Sequence, residues 1–163
     1  SEVGRMFATA FAGREIDVIM TVETKGIPLA YATAMYLNLP VVIVRRDNKV
    51  TEGSAVSINY VSGSTKRIQT MSLARRALRE QSRVLIIDDF MKAGGTVQGL
   101  IDLLAEFDAT VAGVGVFVES GEVGADERLF HDYVSLARLA HVDLKTKQTT
   151  VVPGNYFDGM TIA

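Results

Sequence analysis

The stretch that decides the fold is Val84-Leu85-Ile86-Ile87-Asp88-Asp89-Phe90-Met91-Lys92-Ala93-Gly94-Gly95-Thr96. Arg83 to Ile87, apolar from Val84 on, is the clearest strand of the chain. From Thr96 to Phe107 the period changes. Val97, Leu100, Ile101, Leu104 and Phe107 recur at steps of three and four, which makes one apolar face of a helix. A strand therefore passes into a helix through a loop that opens with two acids and closes with two glycines. In an open α/β sheet, ligands bind outside the carboxyl ends of the strands, and Asp88 and Asp89 are expected at that edge. A helix start presents unpaired N–H groups and about half a positive charge, a ready anion site. Gly94 and Gly95 let a phosphate approach the backbone closely. Thr96 either caps the helix or gives its hydroxyl to a phosphate oxygen.

The two carboxylates ask for a different partner. Ionised Asp only accepts hydrogen bonds, so the pair would repel a further phosphate and welcome vicinal hydroxyls or a metal-bound cluster. Phosphate in the loop and a ribose diol on the acids is one coherent reading. The bland alternative is a solvated strand end followed by an ordinary turn. Either feature alone would leave the two readings balanced; their joint placement between a strong strand and a strong helix favours a site. The nucleotide pattern G-x-x-x-x-G-K-[ST] is absent, which weakens an NTPase reading.

Working outward, Val18 to Val22 is a short buried strand, followed by a loop containing Lys25-Gly26. Pro28 to Leu37 reads as a helix with Pro28 in its first turn. Val41 to Val44 is a second buried strand. Residues 49–67 are polar, with a β-prone stretch at Ala55 to Val61, and read as a hairpin or mobile flap. Leu73 to Leu78 suggests a helix, and Val3 to Phe11 another. Thr110 to Val118 is expected as a strand, with shorter ones at Val134 to Ala140 and Thr149 to Val152. Nearly all-apolar strands alternating with helices imply one α/β domain, its parallel sheet covered on both faces.

The bulk properties fit that picture. A chain of 163 residues suffices for one substantial core. A formal charge of -2 and a pI near 5.7 give no overall pull toward nucleic acid. Without cysteine there is no disulfide, thiolate metal site or thiol nucleophile. No apolar run approaches the roughly 18 residues of a membrane span, and a cytoplasmic location is expected. Residue 1 is Ser and helix-like sequence begins almost at once, which suggests a piece of a longer protein whose N-terminal domain is absent.

The acid pair and small-residue loop resemble the ribose-5-phosphate signature of type I phosphoribosyltransferases. The resemblance runs over nearly the whole chain. Val22-Glu23-Thr24-Lys25-Gly26-Ile27-Pro28 sits where that family has its pyrophosphate loop, and Tyr60 to Met71 where it has its flexible loop. Thr24 to Ala30, Ser57 to Ser64 and Asp88 to Thr96 together are more specifically similar to the purine operon repressors of Gram-positive bacteria. Those proteins carry a winged-helix DNA-binding domain before a domain of this kind and use phosphoribosyl pyrophosphate (PRPP) as effector.

This resemblance implies that residues 1–163 form one effector-binding domain with the type I phosphoribosyltransferase fold: a mostly parallel central sheet, flanking helices and a flexible loop. It implies that Asp88 and Asp89 hold the ribose hydroxyls, and that Lys92, Ala93, Gly94, Gly95 and Thr96 form the 5-phosphate loop. Thr24, Lys25 and Gly26 would face the pyrophosphate, and Tyr60, Ser64, Lys66 and Arg67 belong to the flexible loop. Mg²⁺ would accompany PRPP with no direct protein ligand. A related pyrophosphorylated nucleotide such as ppGpp is a competing ligand. A homodimer is implied, with DNA reached through the full-length protein and no membrane partner. No catalytic residue is assigned and turnover is not expected; an active xanthine-type phosphoribosyltransferase is the alternative. Many such enzymes have Thr where this chain has Ala93, a difference of one hydroxyl that cannot by itself abolish catalysis.

Lesser features divide between function and packing. Lys25 is a pyrophosphate contact or a turn lysine, with Gly26 beside it favouring the first. Phe90 either contacts a base or packs. Tyr60 is better read as half in the core than as a ligand-stacking ring. Arg75, Arg76 and Arg79 form a basic face, most simply solvated. Met20, Met35 and Met71 read as core filler. His131 and His141 show no metal spacing.

Overall fold

The computed structural model describes residues 1–47, 53–62, 66–121 and 132–160. Helix α1 (Glu2–Ala10) precedes strand β1 (Val18–Val22), helix α2 (Ile27–Leu37) and β2 (Val41–Arg46). A hairpin of β3 (Ala55–Val61) and β4 (Ile68–Ala74) follows, then β5 (Arg83–Met91), α3 (Gly95–Glu106), β6 (Thr110–Ser120), β7 (Val134–Val142) and β8 (Thr149–Pro153). Eight strands make one sheet in the order β3-β4-β2-β1-β5-β6-β7-β8. The four central pairings, from β2 through β7, are parallel; β2–β4, β3–β4 and β7–β8 are antiparallel. The sheet is thus mostly parallel, as expected, with antiparallel pairings confined to its two edges.

The alternation of side chains along β1 and β5 sorts the core into two layers. Val18, Met20, Val22, Val84 and Ile86 pack beneath Val97, Leu100, Leu103 and Leu104 of α3. Ile19, Leu85 and Ile87 face the other way, against Phe7 of α1, Phe11 just after it, and Ala30 and Ala34 of α2. The strands read as continuous apolar runs because both faces are covered. Arg83 closes the lower end of β5, pairing with Glu15 and with Asp17, whose carboxylate it meets at 3.0 Å.

Three expectations are corrected. Leu73 to Leu78 is not a helix: β4 runs to Ala74, followed by one 3₁₀ turn at Arg75–Ala77. A seven-pair ladder with β3, Ala55↔Ala74 to Val61↔Ile68, holds this segment extended. Tertiary pairing outweighs local propensity there. Second, Tyr60, placed in the flexible loop by the resemblance, stands in a strand, in keeping with its reading as partly core. It lies in β3 opposite Gln69, is 6% exposed, and donates its hydroxyl to Gln69 Oε1 at 3.0 Å. Its ring root packs on α3, where only hydrogen at Gly99 leaves room: a Cβ there would lie 2.8 Å from Tyr60 Cβ. Third, Met35 is on the surface, 71% exposed, whereas Met20 and Met71 are fully buried.

The topology also creates a crevice. From β1 the chain steps to β2 on one side; from β5 it steps to β6 and β7 on the other. β1 and β5 pair only as far as Met20↔Ile86, while β5 continues beside β6 to Met91↔Glu119. Beyond Ile86 the two central strands part company. Such a switch point is where open α/β sheets bind ligands.

Candidate functional site

At that crevice lies a cavity of about 440 Å³. Three chain segments meet in it: Val22 to Lys25 after β1, Asp88 to Lys92 at the end of β5, and Gly94 to Val97 at the start of α3, joined by Arg46 of β2 and Ser62 of the hairpin. Segments separated by more than sixty residues in sequence are thereby brought together. Thr24, Lys25, Asp88, Asp89, Lys92, Gly94, Gly95 and Thr96 all line the cavity. Ala93 and Gly26 stand in the same loops without lining it.

The acids sit within β5, which extends to Met91, rather than after its end. They are nonetheless at an edge, because β1 no longer pairs with the strand there. Asp88 is 4% exposed and its Oδ1 accepts the Asp89 backbone N–H at 2.8 Å. Burial, reinforced by a hydrogen bond to the Asp89 carboxyl, pushes Asp88 up to about 8; the charge of Arg46 pulls the other way. Burial thus favours the protonated form of Asp88. It offers a hydroxyl donor as well as acceptors, which suits a diol and softens repulsion toward phosphate.

The loop beyond is shaped for an anion. Gly94 is the residue before α3 and adopts φ 98°, a conformation that glycine takes without strain. It leaves the helix start without a side-chain cap, so Thr96 lies inside the first turn and does not cap it. The orphan N–H groups of that turn border the cavity. Phe90, 40% exposed, forms part of the wall and is not a core residue.

The β1–α2 loop approaches closely. The Glu23–Thr24 peptide bond is cis. A Cβ on Gly26 would lie 2.2 Å from Thr21 Oγ1 and 3.4 Å from Asp88 Oδ1, so glycine is needed to bring this loop onto the acids. Thr21 is fully buried beneath it. The hairpin contributes less. Ser62 reaches the cavity; Lys66 and Arg67 are exposed at the tip and do not line it. Backbone bonds Ser62 N–H to Arg67 O (3.0 Å) and Lys66 N–H to Ser62 O (2.8 Å) close the turn. Ser64 and His131 lie outside the described residues. The basic residues Arg75, Arg76 and Arg79 are exposed and belong to the opposite edge of the sheet, before β5.

Sequence reasoning missed Glu23 and Arg46. Arg46 ends an apolar strand as one of two adjacent arginines, and only its partner across the sheet distinguishes it. Arg46 N–H donates to Glu23 Oε1 at 2.7 Å, and its Nε to the Glu23 carbonyl at 2.8 Å. The pairing of β1 with β2, Val22↔Val44, sets these residues side by side.

Comparison with known proteins agrees with this construction. The purine biosynthesis transcriptional repressor PurR of Bacillus subtilis is 65% identical over 156 residues, covering 96% of this chain and 54% of that protein. The xanthine phosphoribosyltransferase of Alkaliphilus metalliredigens is 32% identical over 157 residues, covering 93% of this chain and 75% of that enzyme. The crystal structure of adenine phosphoribosyltransferase from Thermoanaerobacter pseudethanolicus superposes with a TM-score of 0.75 at 25% identity, covering 84% and 78% of the two chains. The chain spans just over half the length of the regulators it matches. Residues 2–152 match the phosphoribosyl transferase domain as a family. The family match over nearly the whole chain, with relatives of 30% identity or more, places this chain in the phosphoribosyl transferase domain family.

Proposed function

We propose that the cavity binds PRPP without turning it over, and that this binding controls a transcriptional regulator of purine genes. The observation that carries the reading is the convergence, in one cavity, of a glycine-opened helix start, the Asp88-Asp89 pair and the Thr24-Lys25 loop. Each fits one part of the ligand. Gly94, Gly95 and Thr96 would hold the 5-phosphate, Asp88 and Asp89 the ribose hydroxyls, and Thr24 and Lys25 the pyrophosphate. The identity to PurR-type regulators, 44–65%, exceeds that to the xanthine phosphoribosyltransferases, 32–36%, which supports a sensor over an enzyme.

Mg²⁺ is part of the proposal. The described residues hold no cluster of three or more His, Cys, Asp or Glu that could cage a metal. Two carboxyls beside a polyanionic ligand fit an ion carried mainly by the ligand's own oxygens, with the acids hydrogen-bonding its waters. Such an ion would neutralise the pyrophosphate.

Control of DNA requires that the ligand bind two states of the full-length protein with different affinity. A homodimer and a cytoplasmic location belong to the same proposal. Among the described residues no helix is long and apolar enough to cross a membrane. The pyrophosphorylated nucleotide ppGpp carries groups that the same loops would accept and is the competing effector.

Calorimetry with PRPP and Mg²⁺ tests binding, and Asp88→Ala with Asp89→Ala is expected to abolish it while circular dichroism stays native. Unchanged affinity in that variant would remove the site assignment. A steady-state assay with PRPP and each purine base tests turnover: sustained pyrophosphate release that depends on the acid pair would favour the active xanthine-type enzyme instead.

A further inference from the structure

Among the described residues, Thr21 carries the one fully buried hydroxyl that has no hydrogen-bond partner. Three other hydroxyls are as deeply buried, and each is paired. Thr33 Oγ1 donates to the Leu29 carbonyl at 2.8 Å and Ser72 Oγ to the Asp47 carbonyl at 2.7 Å, while Ser135 Oγ accepts the Asn155 N–H at 3.0 Å. The fold has no need of the Thr21 oxygen. Every residue of β1 is buried, and Met20 and Val22 on either side belong to the core. Valine has the same shape and the same stiffness in a strand. A buried donor left unpaired destabilises the chain that carries it.

The surroundings of this hydroxyl give it a partner. It lies directly beneath the β1–α2 loop, 2.2 Å from the point where Gly26 would carry a Cβ, and Asp88 Oδ1 and the Ile87 carbonyl lie 3.4 and 3.5 Å from that same point. Thr21 is also the first residue of β1 beyond its last pairing with β5, Met20↔Ile86, so no ladder bond separates the hydroxyl from the acid. Asp88 Oδ1 accepts the Asp89 N–H, and a carboxyl group has acceptor sites to spare. Asp88 lines the cavity and Thr21 stands behind it.

We propose that Thr21 is a positioning residue for Asp88, its hydroxyl donating to the carboxyl from behind when sugar hydroxyls engage the acid pair from the cavity. Oδ1 takes the Thr21 hydroxyl in addition to the Asp89 N–H, and Oδ2 is left to the sugar. The carboxyl closes the remaining gap by turning into the space that Gly26 leaves open. Thr21 touches no ligand and acts through Asp88. The proposal rests on the ribose-phosphate reading given above. The opposing possibility is a flaw in the core that the fold tolerates, with no bearing on binding.

Stability and affinity should then move in opposite directions. Thr21→Val and Thr21→Ser are compared with the wild-type chain by thermal unfolding without ligand, and by calorimetry with PRPP and with ribose 5-phosphate at one Mg²⁺ concentration. Thr21→Val removes the unpaired donor at constant shape and should melt about 2–4 °C higher. It should nonetheless bind PRPP about tenfold more weakly, the loss of one hydrogen bond to a carboxyl group. Ribose 5-phosphate has the same ring hydroxyls at the acid pair and should weaken by the same factor. Thr21→Ser keeps the hydroxyl and loses a methyl group; it should melt below wild type and bind PRPP nearly as tightly. Wild-type affinity in Thr21→Val, equal weakening in both variants, a loss confined to PRPP, or a Thr21→Val chain that melts below wild type would each overturn the proposal. A wild-type chain that binds neither ligand would overturn the ribose-phosphate reading itself, so the two failures are distinguishable.

Discussion

Asp88→Asn should stabilise the ligand-free chain while removing its function. Asp88 is almost wholly buried and its ionisation is held from an ordinary 3.8 up to about 8. Below its unfolded value the carboxyl is neutral in both states and exacts no penalty. As pH rises from about 4 to 8 the unfolded chain gains the solvation of a free carboxylate and the folded chain does not, so stability falls across that window and then levels. At about 1.4 kcal/mol per pH unit the upper bound is roughly 6 kcal/mol. Relaxation and water entry reduce this to about 2–3 kcal/mol. Asn reproduces the protonated acid: its oxygen can accept the Asp89 N–H now bonded at 2.8 Å, and its amide can donate to Asp89. Thermal unfolding by circular dichroism, without ligand, at steps from pH 5 to 9 reads the difference. The variant should melt only slightly higher than the wild type at pH 5 and about 5–10 °C higher at pH 9. Curves that stay parallel across the range, or a variant less stable than wild type at pH 9, would refute the reasoning.

Three other perturbations probe different parts of the chain. Gly94→Val forces a β-branched residue to φ 98° and places side-chain bulk at the anion loop; PRPP affinity should fall by more than tenfold, and the backbone strain should cost about 1–3 kcal/mol by denaturant unfolding. Gly99→Ala inserts a methyl 2.8 Å from Tyr60 Cβ and 2.9 Å from Met71 Cε; overpacking should destabilise by about 1–3 kcal/mol, and hydrogen exchange should show the β3–β4 hairpin loosening first. Asp17 is held down to about 2 by its hydrogen bonds with Arg83, so its stabilisation is present above pH 4 and lost as pH falls toward 2. Asp17→Asn should flatten that acid limb of the melting curve and leave ligand affinity unaltered.

Much of the architecture was legible because its signals are local and redundant. Val84 to Ile87 and Val18 to Val22 are apolar on both faces, which only a covered central strand tolerates, and the α3 stripe is set by its period. The glycines before α3 and the loop around Lys25, both singled out from the residues, line the cavity. Leu73 to Leu78 misled because its two leucines, five residues apart, carry no periodicity that separates strand from helix; the ladder with β3 decided it. Tyr60 was placed by the same ladder and by the missing side chain at Gly99.

What the chain's order of residues determines by itself is which segments become strands and helices and which loop is open to an anion, because hydrophobic period and glycine content act over a few neighbours. What only the tertiary structure decides is the electrostatic state of the site. The raised titration of Asp88 depends on its burial in the folded chain, and the hold on Arg46 depends on Glu23, twenty-three residues away across a parallel pairing. Burial and charge proximity are properties of distance in space, and chain separation does not encode them.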